Sequence, residues 1–219
     1  LGFKKLINHY FIFFLICFQG FIGWYMVASG LVDKIDVSHF RLSIHLVMAF
    51  FILSLILWNY FKLNINNTNL PKLNNLFPYF FLILVFLQIT IGAFVSGMDA
   101  GKIYNSWPLM GSSYFPDDSQ IINLFKLSVF SDPSLVQFLH RNLAYFILIF
   151  YLLISFKVYK QHLNSSFFAV NILGFFLLLQ IILGIFTVIN GAQILLSSMH
   201  QISSIFLVTA STYFLYINK

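Results

Sequence analysis

Apolar residues fall in six long runs, roughly 10–31, 40–61, 77–98, 135–156, 167–189 and 194–216, separated by short polar stretches and one long one. Each run reaches the roughly 20 residues that a helix needs to cross the hydrocarbon core of a bilayer. None alternates apolar and polar residues as a membrane barrel strand does. In lipid, an element must satisfy its own backbone groups. The pattern predicts an all-α membrane protein with six transmembrane helices.

Composition agrees, with 60% of residues hydrophobic and 8% charged. The single cysteine, Cys17, lies mid-span and rules out an internal disulfide. Lys4, Lys5, Lys62, Lys72, Lys157, Lys160 and Lys219 fall at alternate ends of the runs with no acid among them. Since Lys and Arg are retained inside, these ends and both termini are expected on the cytoplasmic side. The opposite loops hold all six acids, Asp33, Asp36, Asp99, Asp117, Asp118 and Asp132, with Lys34, Arg41, Lys102, Lys126 and Arg141. The net charge of +6 is thus a topology signal and does not indicate nucleic-acid binding. The chain begins at Leu1 with no signal-peptide pattern, and an even number of further helices is expected upstream.

A weak internal repeat organises the runs. Gln19, Gly23, Val27 and Gly30 match Gln180, Gly184, Val188 and Gly191 at equal offsets, and the next run in each case carries Ser-x-His, ending at His45 and His200. A looser third copy has Gln88 and Gly92, followed after a long loop by His140. Helices therefore run as pairs, one entering with Gln-x3-Gly and the other returning with histidine. This reads as the second pair of one four-helix half (1–62), a linker (63–76) and a complete four-helix half (77–219) whose outer loop is about 99–134. Glycine lets helix backbones approach and glutamine hydrogen-bonds across the contact, and either also occurs as a plain packing device.

His45, His140 and His200 each sit about one turn inside a span, near the same membrane face. An imidazole in hydrocarbon is costly and marks function, packing or a proton relay. Neutral imidazole is also a standard axial ligand of haem iron. Two facing helices could supply one imidazole each, and His140 with His200 is the natural pair. His45 is then half of a second site. Arg141 adjoins His140, and Arg41 precedes His45 by four residues on one helical face. Either could pair with a haem propionate or serve as an interfacial anchor. His9, His39 and His162 read as ordinary interfacial residues. Met199 is no rival as a ligand, because consecutive helical positions point about 100° apart.

These residues carry a family resemblance. The stretch Gln19–Leu31 followed by Arg41-Leu-Ser-Ile-His45-Leu, the loop Gly97-Met-Asp-Ala-Gly-Lys-Ile-Tyr-Asn-Ser-Trp-Pro-Leu-Met110, Gln137-Phe-Leu-His140-Arg141, and His200-Gln201 together resemble the haem A synthase family of alphaproteobacteria and mitochondria. The resemblance implies an eight-helix fold of two pseudo-symmetric halves, of which this chain has the last six helices. It implies an oxidoreductase that oxidises the C8 methyl of haem O to a formyl group, giving haem A for terminal oxidases. By the same resemblance His140 and His200, with Arg141, would bind a resident haem B, while His45 and Arg41 would serve the substrate haem O. Haem O synthase and terminal-oxidase assembly factors are the implied partners, with a homo-oligomer as a further option. The family's glutamate has no counterpart, since the chain contains no Glu, and the 219 residues alone are expected to be inactive.

Within the long loop, the stretch from Ile121 to Val129 could be an amphipathic segment over the site or a simple connector. Aromatics make up 20% of the chain, mostly Phe facing lipid, so only Trp24 and Trp107 are singled out for haem contact. Two other functions stay open at this point: a cytochrome b-like electron carrier and a proton-coupled secondary transporter.

Overall fold

The computed structural model describes residues 3–30, 37–65 and 71–219. Its six long helices are α1 (Phe3–Gly30), α2 (His39–Asn64), α3 (Leu76–Gly97), α4 (Pro133–Lys160), α5 (Asn164–Ile189) and α6 (Ile194–Ile217). Each is long and apolar enough to cross a bilayer, so the protein is a multi-pass membrane protein of the expected all-α class. The outer-loop residues Asp33, Lys34 and Asp36 and the linker positions 66–70 lie outside the described residues.

Between α3 and α4 the chain makes three short 3-10 turns, Ala100–Lys102, Ile121–Phe125 and Leu127–Ser131. The start of α4 is set by sequence. Asp132 accepts a hydrogen bond from the Leu135 backbone N–H at 3.1 Å, and Pro133 occupies the first position, where its missing N–H costs nothing.

Helices α3, α4, α5 and α6 close a square, each packed on the next and α6 back on α3, so α4 faces α6 across a diagonal. Helix α2 lies against α3 and α6, and α1 packs on α2. One end of the square is solid, built from Phe81, Val85, Ile154, Val158, Val170, Leu173, Val208 and Phe214. That end carries Lys157 and Lys160 in the last turn of α4. It is also buckled: Asn218 Oδ1 accepts from the Leu73 backbone N–H at 3.0 Å and from Ser166 Oγ at 2.7 Å. The three histidines of interest lie toward the other end, where polar side chains replace this apolar packing.

The contact of α2 with α3 depends on a glycine. A Cβ on Gly97 would stand 2.8 Å from Cβ and 2.9 Å from Cα of His39, so only Gly allows this approach. The same approach alters one sequence expectation. His39 is not simply interfacial but half-buried, edge-on to Phe94 at 5.5 Å, with a buried Nε2 that has no hydrogen-bond partner among the described residues. His9 and His162 are exposed, as expected.

Candidate haem site

Every Gln-x3-Gly segment meets the histidine predicted for it, and in the same way. Gln19 Nε2 donates to the His45 carbonyl at 2.9 Å, Gln88 Nε2 to that of His140 at 3.0 Å, and Gln180 Nε2 to that of His200 at 3.0 Å. Four residues further along, about one helical turn, the glycine passes the ring. A Cβ placed on Gly23, Gly92 or Gly184 would lie 3.0, 3.0 or 3.2 Å from Cε1 of the corresponding histidine. Glutamine thus grips the backbone at the histidine, and glycine leaves room for its imidazole.

Because α4 and α6 are diagonal, His140 and His200 converge from opposite sides of the square. Their ring centres are 6.5 Å apart and their planes cross at 81°. A metal about 2 Å from an imidazole nitrogen lies roughly 3 Å from that ring's centre, so two axial rings on one iron stand about 6–6.5 Å apart. The observed spacing fits that requirement. Nδ1 of His45, His140 and His200 is buried without a hydrogen-bond partner among the described residues, as are Oε1 of Gln19 and Gln88. Buried polar atoms are normally satisfied, and such orphans call for a ligand or another specific reason. Among the described residues no group of three or more His, Cys, Asp or Glu side chains could cage a bare metal ion. Two axial imidazoles instead suit iron that brings its own equatorial ring. His45 keeps the same glutamine and glycine neighbours on α1; among the described residues, histidine-ring pairing is seen between His140 and His200 and not at His45.

Both arginines make contacts within the protein. Arg141 is buried, and its terminal nitrogens donate to the carbonyls of Ser106 at 2.8 Å, Leu109 at 3.3 Å and Tyr104 at 2.9 Å. Gln137, one turn earlier, also donates to Tyr104 O at 3.0 Å. Arg141 therefore fastens the loop segment 104–109 to α4, leaving a buried Nε with no hydrogen-bond partner among the described residues. Arg41 lies over the Tyr25 ring, 5.3 Å from its centre. Neither set of contacts is visible in sequence, because the acceptors are loop carbonyls common to every residue type and a ring on another helix.

Trp107 Nε1 donates to Tyr145 Oη at 2.9 Å, so it holds the loop to α4, while Trp24 is 65% exposed beside Phe21. The stretch expected over the site forms two 3-10 turns resting on each other and on α4, with Ile121, Ile122, Phe125 and Leu127 exposed and only Val129 buried. Deeper in the loop, Asp117 accepts from Ser113 Oγ at 2.7 Å and from the backbone N–H and hydroxyl of Ser112, each at 3.1 Å. These donors hold its carboxyl below the usual value. Burial, followed by the neighbouring Asp118 carboxylate, raises the Tyr104 phenol.

Residues 4–212 match the model of the cytochrome oxidase assembly protein family. The chain belongs to this family. It is 47% identical over 223 residues to a haem A synthase of Pelagibacter ubique, covering 100% of this chain and 65% of that protein. A haem A synthase of Flavobacterium johnsoniae is 40% identical, with 91% of this chain and 60% of that protein covered. One of Rickettsia prowazekii is 35% identical, with 98% and 65% covered. The chain thus spans a little under two thirds of the length of these relatives. The resemblance first read from Gln19–Leu31, the 97–110 loop and the ordered histidines is borne out.

Proposed function

We propose that this chain serves haem A biosynthesis as an oxidoreductase, converting the C8 methyl group of haem O to a formyl group. The carrying observation is the opposition of His140 and His200 across the diagonal of α3–α6 at 6.5 Å. Membership of a family whose compared members are haem A synthases supports the reaction.

In this reading His140 and His200 hold a resident haem B, and His45 is one ligand of the substrate haem. A bound haem supplies the electron-transfer and oxygen chemistry that no side chain here could provide. The protein's part is ligation and orientation. Gln88 and Gly92 fix His140, Gln180 and Gly184 fix His200, and Gln19 and Gly23 fix His45. Arg141 acts at the rim through the loop segment 104–109, and Arg41 lies at the corresponding rim of the His45 site. Helices α1 and α2 belong to the substrate half and α3–α6 to the haem B half. The lysine-rich ends face the cytoplasm or matrix, and the histidines lie near the outer face. Haem O synthase and oxidase assembly factors are the proposed partners for delivery and use.

Replacing His200 with Ala in the purified protein is expected to abolish the low-spin haem absorption signature. Unchanged haem content and spectrum would refute the ligand assignment. Extracted pigment after supply of haem O to the full-length protein then separates the activities: haem A marks a synthase, and haem O alone a carrier.

A further inference from the structure

We propose that Ser203 is a positioning residue that makes His200 a different iron ligand from His140, by holding the Gln180 amide away from the imidazole. The inference rests on the haem reading above and concerns how one ligand of that site is set.

A glutamine amide has two N–H donors. In all three repeats one goes to the backbone carbonyl of the histidine. The repeats part company over the neighbourhood of the second. The amide nitrogens of Gln19 and Gln88 lie 3.3 Å from Nε2 of His45 and His140. Gln180 instead donates to Ser203 Oγ at 2.8 Å.

The position three residues after the histidine accounts for the difference. It is Met48 in the first repeat, Leu143 in the second and Ser203 in the third. Leu offers no acceptor and the Met thioether only a weak one, so the amide stays by the ring. Ser203 is 6% exposed and commits its own O–H to the His200 carbonyl at 3.0 Å, which leaves its lone pairs for Gln180. Gln180, Ser203 and the His200 carbonyl close a triangle of hydrogen bonds beside the imidazole but not on it. His140 is therefore restrained by the Gln88 amide at its ring, whereas the Gln180 amide is engaged by Ser203 instead of the His200 ring. Groups around a ligating histidine orient the ring and tune its basicity, so the two axial ligands are unequal by construction.

The test uses the purified, haem-loaded protein and its low-spin electron paramagnetic resonance spectrum, whose largest g value reports the angle between axial ring planes. Ser203→Ala should let the Gln180 amide turn to the His200 ring. It should shift that g value and the reduced α band at unchanged haem content, and Ser203→Thr, which restores the hydroxyl, should return both to wild type. Leu143→Ser makes the reciprocal change by offering Gln88 a hydroxyl, and it should also shift the spectrum with haem retained. A Ser203→Ala spectrum identical to wild type, or Ser203→Thr perturbed as strongly as Ser203→Ala, overturns the proposal. If Ser203→Ala does not accumulate, an unshifted Leu143→Ser spectrum overturns it. A wild-type protein that takes up no haem sinks the haem reading and this inference with it. A haem-loaded wild type with unshifted variants sinks this inference alone.

Discussion

Replacing Gly92 with Ala should weaken haem binding even though it favours the helix itself. The new Cβ would stand 3.0 Å from His140 Cε1 and 3.6 Å from Nδ1, whereas ordinary contact begins at 3.4 Å, so the ring must retreat by about 0.4 Å (3.4 − 3.0). It cannot retreat freely, because Gln88 of the same helix holds the His140 carbonyl at 3.0 Å. Overpacking of this kind costs about 1–3 kcal/mol. At about 1.4 kcal/mol per factor of ten, that is roughly 5- to 150-fold weaker binding. Ala in a helix interior is favoured over Gly by up to about 1 kcal/mol, which offsets only part of that cost in the fold. Gly20 is the matched control, since a Cβ there meets nothing within 4 Å, and Gly20→Ala should leave haem affinity unchanged. Soret-band titration measures the affinity, and thermal unfolding in detergent measures stability. The reasoning fails if Gly92→Ala binds haem as tightly as wild type, or if Gly20→Ala weakens it equally.

The outer loop offers two further checks. Arg141→Lys keeps the charge but loses the fork that spans Tyr104, Ser106 and Leu109, and each lost bond from a charged donor is worth about 1.5–3 kcal/mol. Proteolysis within 98–132 should become faster while α4 stays intact, and an unchanged cleavage rate would remove Arg141 from the role of fastener. Hydrogen bonds from Ser113 and Ser112 hold the Asp117 carboxyl below its ordinary 3.8, so its contribution is complete above that value and lost as pH falls through the lower folded-state value. Tryptophan fluorescence of the loop should therefore respond to acid in that range in wild type. Asp117→Asn should flatten that response, and an identical acid response in the two proteins would show that Asp117 is not its source.

Much of the site was legible because its parts recur. Spacing four residues apart on one helix and a histidine on the next made three copies readable, and hydrogen-bonded distances of 2.9–3.0 Å in each show that the repeat is a repeated contact. The asymmetry was also written in the chain, as Ser203 against Leu143 and Met48, but its meaning was not. Whether a serine three residues after a histidine meets a glutamine depends on the rotation of two packed helices, which no single run reveals. The surroundings of His39 and Arg141 were hidden for the same kind of reason. One depends on how closely Gly97 lets α2 approach, the other on carbonyls presented by an irregular loop.

Sequence by itself determined the six spans, their pairing and which side chains bear chemistry, because hydropathy and residue type act locally and each span must satisfy its own backbone. Tertiary structure decided that α4 and α6 lie diagonal, that His140 and His200 stand 6.5 Å apart, and that Arg141 serves the loop. Those facts belong to packing among helices far apart in the chain, where crossing geometry and the shape of glycine-lined gaps select one arrangement from many that share the same local pattern.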